Sequence, residues 1–167
     1  AQFQLALKDP FVKAVILDID SPGGEVGGLF DLADSIYAAR GTKPITALAN
    51  EYAYSAAYAL ASAADRIVMP RTGSVGSIGV ILAHVDQSGW DEQVGLSYTY
   101  IYAGAHKKDG NPHEPLSDPA RASLQTQVDK IYGLFTSTVA RNRKLSEQAV
   151  KDTQAAIFSG EAAVKAG

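Results

Sequence analysis

The sequence predicts an α/β fold, and three observations carry that prediction. Short runs of branched apolar residues recur, segments with helical spacing follow them, and glycine, proline and aspartate mark the places where one gives way to the other. Parallel strands need crossover connections and helices supply them, so this alternation favours a parallel sheet with helices packed on it. The strand order stays open.

The elements follow in chain order. A helical pattern occupies residues 2–8. Residues 14–19 form an apolar run ending in Asp20-Ser21-Pro22-Gly23-Gly24, which predicts a buried strand that stops in a turn. Leu29, Ala33, Ile36 and Tyr37 then recur at helical spacing as far as Arg40 and Gly41. Residues 44–49 read as a second strand, and residues 55–64 as a helix of small side chains that lets neighbouring backbone approach closely. Residues 66–69 predict a third strand, the glycine-punctuated residues 73–79 a loop, and residues 97–102 a further strand with alternating hydroxyl and apolar faces. From Asp118-Pro119 an N-cap and a first-turn proline open a long helix with Leu124, Val128, Ile131, Phe135 and Val139 on one stripe and a basic end at residues 141–144. Ser146 begins a short helix and Ser159-Gly160-Glu161 leads into a last one, so residues 118–167 are expected to form a helical C-terminal subregion.

Bulk properties bound the function. A chain of 167 residues fits one domain, residues 1–167, and 46% hydrophobic with 20% charged residues describes a globule rather than a disordered chain. Fifteen basic against eighteen acidic residues, with no Lys/Arg cluster, argue against a nucleic-acid partner. The lack of cysteine excludes disulfides, thiolate metal sites and a cysteine nucleophile. Three scattered histidines argue against zinc, and neither metal nor cofactor is expected. No stretch approaches the roughly 18 apolar residues of a spanning helix, and no signal pattern opens the chain. A soluble piece is expected, with any membrane anchor on a segment absent from it. The chain opens in one helical pattern and stops at Ala166-Gly167 just after another, which reads as a fragment of a longer protein.

Chemistry has two places to sit. At Gly23 and Gly24 a strand ends in N–H groups able to face a developing negative charge; a plain strand-to-helix turn fits the same residues, while the parts of a nucleotide-binding loop are missing. Ser55 stands where a strand hands over to a helix, so the N–H of Ala56 would face the carbonyl oxygen that Ser55 attacks; a simple N-cap serine is the alternative. Serine needs a base. His84, close to Asp86, is the strongest of the histidine candidates, ahead of His106 and His113, while Lys107 or Lys108 could serve if burial kept an amine neutral.

Three motifs stand in order: Ser-Pro-Gly-Gly at 21–24, Tyr-Ser-Ala-Ala-Tyr-Ala-Leu-Ala-Ser-Ala-Ala-Asp at 54–65 and Gly-Ser-Val-Gly-Ser-Ile-Gly-Val at 73–80. Together they resemble the signal peptide peptidase A family, peptidase family S49. A fourth segment, Ala-Gly-Ala-His-Lys-Lys-Asp-Gly-Asn-Pro-His-Glu-Pro-Leu at 103–116, is most similar to its phage and prophage branch of minor capsid protein C-like members, which process scaffold during head assembly.

The resemblance implies a crotonase-like, Clp-protease-like stack of β-β-α units and a serine endopeptidase with a Ser-Lys dyad acting on unfolded or extended polypeptide. It maps the nucleophile to Ser55, the base to Lys107 in preference to Lys108, the oxyanion hole to Gly23, Gly24 and Ala56, and the residue that orients the lysine to Ser77. It further implies homo-oligomeric rings in which Lys107 can act in trans, phage capsid or scaffold proteins as partners, and a cytoplasmic, prohead-associated location. Within the family the alternative is a membrane-associated peptidase that degrades residual signal peptides. Outside it stand a crotonase-like acyl-thioester enzyme, which leaves Ser55 without a necessary role, and a non-catalytic ring-forming capsid assembly protein.

Overall fold

The computed structural model describes residues 2–167 and divides into two units, one running to Gly79 and resuming over Gly133–Gly167, the other covering Val80–Tyr132. In chain order the elements are α1 (Gln2–Lys8), β1 (Val15–Ser21), α2 (Leu29–Ala38), β2 (Ile45–Tyr54), α3 (Ala56–Ser62), β3 (Arg66–Val68), β4 (Ser74–Gly76), α4 (Ser88–Gln93), α5 (Asp118–Arg143), α6 (Glu147–Asp152), β5 (Ile157–Ser159) and α7 (Gly160–Ala166). The mixed α/β class is the one expected.

All five strands belong to the first unit. The sheet runs β1-β2-β4-β5, with β3 also paired to β2. The pairings of β2 with β1, β3 and β4 are parallel, and β5 closes on β4 antiparallel. β2 is the hub: residues 46–48 pair with β3 and residues 52–54 with β4. Its register with β1 steps from Ile19↔Ala49 to Ser21↔Ala53, so the longer stretch of β2 bulges, and Glu51 there has φ 74. A bulge bends its strand and re-aims the residues beyond it; those residues are Tyr52 to Ser55.

Several elements differ from the sequence reading, each for a physical reason. β1 is covered on one face only, with Ile16, Asp18 and Asp20 exposed, because α3 packs against its other face. β2 continues past residue 49 through polar Asn50 and Glu51, since β4 offers its second half a partner. Residues 74–76, expected as loop, form β4. β5 interrupts the helical C-terminal subregion to pair with it. Gly76 makes that closure possible: at φ 116 a Cβ would lie 2.5 Å from the Ala156 carbonyl oxygen. The cap of α5 is Ser117 rather than Asp118, its hydroxyl accepting from Ala120 N–H at 3.3 Å and its carbonyl from Arg121 N–H at 2.8 Å.

Small residues set the packing around α3. Ala56, Ala57, Tyr58, Ala59, Ala61 and Ser62 are all buried, beside Ala47, Ala49 and Ala53 of β2. Arg40 closes the far end of this helix: its guanidinium donates to the carbonyls of Ser62 (2.9 Å), Ala63 (2.8 Å) and Ala64, and to that of Asn142 (3.2 Å) in α5. Asn142, itself buried, donates to the Ser62 hydroxyl at 2.9 Å. Phe135 and Val139 of the predicted stripe are buried and Phe30 lies 6.2 Å from Phe135, ring to ring, whereas Leu124, Val128 and Ile131 are half-buried.

In the second unit, among the described residues, α4 and α5 up to Tyr132 are the helices and there is no strand. Residues 97–102, expected as a strand, have no ladder partner here. One face of that segment is nevertheless in use. Tyr98 stacks on His113 with ring centroids 3.7 Å apart, the Tyr100 hydroxyl donates to Asn111 Oδ1 at 2.9 Å, and Lys108 Nζ lies 5.5 Å from the Tyr102 ring centroid.

Candidate active site

Ser55 joins β2 to α3 with φ 50 and ψ −124. A non-glycine residue held in such a region costs about 1–3 kcal/mol and persists only where its surroundings over-determine it. They do: its N–H donates to Gly76 O at 2.9 Å and its carbonyl accepts from Ala59 N–H at 3.1 Å. Ser55 occupies the N-cap position, yet its hydroxyl makes no cap bond. The sharp strand-to-helix turn presents Oγ instead of using it for structure, as nucleophile turns do.

The first motif folds against the second. Ser21 pairs with Ala53 in the sheet, and the chain then brings Gly23 onto Ser55. A Cβ on Gly23, at φ +111, would stand 2.7 Å from Ser55 Cβ and 3.2 Å from Ala56 N. Only glycine fits there. The Gly23 N–H is engaged by Ser21 Oγ at 3.2 Å, whereas Gly24 is exposed and the space where its Cβ would stand is open. Ala56 opens α3, so its N–H is one of the donors that a helix leaves unpaired. The third motif arrives through Gly76, whose carbonyl holds Ser55 N–H; Ser77 follows at φ 55, its N–H donating to Ala156 O at 2.9 Å. Gly23, Gly24, Ser55, Ala56 and Ser77 thus share the first unit.

Lys107 and Lys108 belong to the second unit, in consecutive turns closed by Lys107 N–H to Gly104 O (3.0 Å) and Asn111 N–H to Lys108 O (3.0 Å). The two lysines differ in their surroundings. Lys108 Nζ donates to Glu114 Oε2 at 2.8 Å, and that hydrogen bond raises its pKa above the ordinary lysine value. The Lys107 side chain is exposed.

All three histidines also lie in this unit, each with a partner. His84 Nε2 donates to Asn111 O at 3.0 Å, His106 Nδ1 meets Asp109 Oδ2 at 2.9 Å, and His113 Nδ1 meets Asp91 Oδ2 at 2.8 Å. Asp86, expected beside His84, is bound by the Ser88 hydroxyl (2.6 Å) and N–H (3.0 Å), and those bonds hold its carboxyl below the usual range. The buried Asp91 and its bond to His113 escaped sequence reading, because one aspartate in a short helix carries no periodic signal. The alternation of Tyr98, Tyr100 and Tyr102 opposite Asn111 and His113 is the pattern that could have pointed there.

Among the described residues no group of three or more His, Asp or Glu could hold a metal ion, and no helix is long and apolar enough to cross a membrane. The family model for peptidase family S49 matches residues 38–167. The chain is 46% identical over 167 residues to the head-tail preconnector protein GP5 of Enterobacteria phage P21 and 45% identical to capsid assembly protease C of Escherichia phage lambda. All of this chain is covered in both, but it spans only 33% and 38% of their lengths. Among solved structures, the 1510-N membrane-bound stomatin-specific protease is similar in fold, with a TM-score of 0.59 at 16% identity over 99% of this chain and 68% of that one. A family match over most of the sequence, joined to full-length coverage by phage relatives at this identity, establishes that the chain belongs to peptidase family S49.

Proposed function

We propose that this chain is the catalytic part of a serine endopeptidase that cleaves extended polypeptide during phage head assembly, with Ser55 as nucleophile and Lys107 as general base. The observation that carries the reading is the strained Ser55 turn, with its hydroxyl free of capping and a glycine wall closed on it. Neutral Lys107 Nζ takes the proton as Ser55 Oγ attacks the scissile carbonyl carbon. The tetrahedral oxyanion is received by the N–H groups of Ala56 and Gly24, since Gly23 N–H already serves Ser21. The lysine ammonium then protonates the leaving amine, and water, deprotonated by the Lys107 amine, hydrolyses the acyl-serine as the proton returns to Ser55 Oγ. Ser77 orients the lysine. Lys108, tied to Glu114, is the less available amine.

The identity to two phage proteins, one named a capsid assembly protease, supports scaffold or capsid protein as substrate and a prohead-associated location over residual signal peptides at a membrane. A homo-oligomer fits as well. A lysine works as a base where burial disfavours its charged form, and Lys107 is exposed in the single chain. Among the described residues, ten of the nineteen exposed large apolar side chains lie between Ile81 and Tyr102, Ile81 at 96% and Ile101 at 98% exposure, and a partner copy would give such side chains cover from water.

The test is cleavage of an unstructured polypeptide by the full-length protein and its Ser55→Ala and Lys107→Ala variants. Both should lose activity, by a factor of about 10²–10⁴ for removal of the base. Wild-type turnover in either variant refutes the dyad.

A further inference from the structure

The segment that carries Lys107 is held at its C-terminal root by a buried polar device that a solvated loop has no need of. Asp91, on α4, is 3% exposed, and its Oδ2 accepts from His113 Nδ1–H at 2.8 Å. The Gln87 side-chain nitrogen lies 3.0 Å from His113 Nδ1 and 3.3 Å from Nε2, while Tyr98 stacks on the ring. Two residues earlier, Asn111 is gripped through its carbonyl by His84 and through Oδ1 by Tyr100 and by the N–H of His113 at 3.1 Å. Gln87 N–H donates to Pro112 O at 2.8 Å. Three consecutive residues, 111–113, are therefore each bonded to α4 or to the extended segments that flank it.

This device has an energetic penalty. Asp91 Oδ1 and Asn111 Nδ2 are buried without a hydrogen-bond partner among the described residues, and an unsatisfied buried polar atom costs about 1–3 kcal/mol. Departures from good packing of this kind concentrate where function demands a fixed geometry.

The geometry points to Asp91, acting through His113, as a positioning residue that fixes the turn carrying Lys107 and with it the orientation of that amine. This rests on the Ser-Lys reading above. The electrostatic content of the pair matters less than the fixed path it gives the backbone from residue 111 back through the bond of Asn111 N–H to Lys108 O. Misplacing a reacting group by about 1 Å can cost 10²-fold in rate.

The experiment reads the rate at which an alkyl fluorophosphonate labels Ser55 in the full-length protein. Lys107→Ala should slow labelling by about 10²–10⁴-fold and Asp91→Ala by about 10²-fold. Asp91→Asn keeps an oxygen for His113 Nδ1–H and should restore labelling to near the wild-type rate. The Asp91→Ala effect should vanish in a Lys107→Ala background, because a residue that acts only through the lysine has nothing left to position. Should Asp91→Ala fail to fold, Asp91→Asn with His113→Phe deletes the same bond without burying a charge, and the same slowing is expected. If Lys107→Ala labels slowly while Asp91→Ala labels at the wild-type rate, the positioning role is overturned and the dyad stands. A slowing by Asp91→Ala that persists in the Lys107→Ala background also overturns it. Wild-type labelling of Lys107→Ala removes the dyad and this inference together.

Discussion

Ser55 and Gly23 form one device. The serine adopts its strained φ and ψ because β2 bulges at Glu51, Gly76 O holds its N–H, and α3 begins at once after it. Gly23 allows the turn to be walled by backbone rather than by a side chain. Gly23→Ala sets a methyl 2.7 Å from Ser55 Cβ at a φ of +111, so either the serine leaves its turn or residues 22–24 withdraw, and Gly24 N–H with them. The expected outcome is loss of polypeptide cleavage by about 10²-fold or more, the scale of a lost oxyanion donor. Far-UV circular dichroism should stay at the wild-type level, because the clash is confined to one turn. A Gly23→Ala protein of normal activity would show that the wall is not part of the site. Lys108 illustrates the opposite case of a residue whose chemistry is already committed. Its pKa is raised by Glu114, so the folded state binds that proton more tightly; the tie contributes fully below the ordinary lysine pKa and is lost as pH rises through the folded value.

At the scale of elements, α3 is short, rich in alanine and almost wholly buried, so its position depends on what closes its two ends. Ser55 closes the first and Arg40 the second, through three consecutive carbonyls of the helix end and a fourth from α5. Burial lowers the Arg40 pKa, yet guanidinium remains charged across any working pH. Arg40→Met keeps the stem and deletes every donor, leaving those carbonyls at a buried junction. Destabilisation of about 2–4 kcal/mol is expected from the loss of charge-assisted bonds and the unpaired acceptors left behind, measured as a lower urea midpoint with an unchanged slope. An unchanged midpoint would mean that water replaces the guanidinium without penalty.

The same elements show what a sequence can carry. Residues 29, 33 and 36, residues 135 and 139, and the Ser146 cap with its 3.0 Å bond from Ala149 N–H were all legible, because helical period and capping are local signals. Three-residue strands such as β4 and β5 have no period to read: β5 exists through β4, and β4 through β2 and β5. The run at 97–102 alternates as a strand does, but a strand also requires a neighbour, and its tyrosines contact residues 108–113 instead. Of the candidate site, the glycine and serine motifs are local signals, and all of them fall in the first unit. The Asp91–His113 bond stayed invisible, since it joins residues 22 positions apart with no pattern between them.

For the whole molecule, the decisive question is whether one chain supplies both halves of the proposed dyad. The apolar side chains exposed between Ile81 and Tyr102 favour association, and closed rings of identical subunits repeat one interface around the assembly. Co-expression of the full-length Ser55→Ala and Lys107→Ala proteins answers it. If each site draws on a single chain, every chain in the mixture lacks one group and no combination cleaves. If Lys107 reaches the serine of its neighbour, a Lys107→Ala subunit beside a Ser55→Ala subunit rebuilds an intact pair. Random mixing then restores about one quarter of the wild-type sites, read as polypeptide cleavage after native mass spectrometry has verified mixed assemblies. Ile101→Asp should abolish this recovery by placing a charge in the apolar surface and lowering the mass of the assembly to that of the single chain. Recovery in trans together with its loss in Ile101→Asp is the expected result. Mixed assemblies that remain inactive would assign the lysine to its own chain and leave the exposed apolar surface a purely structural role.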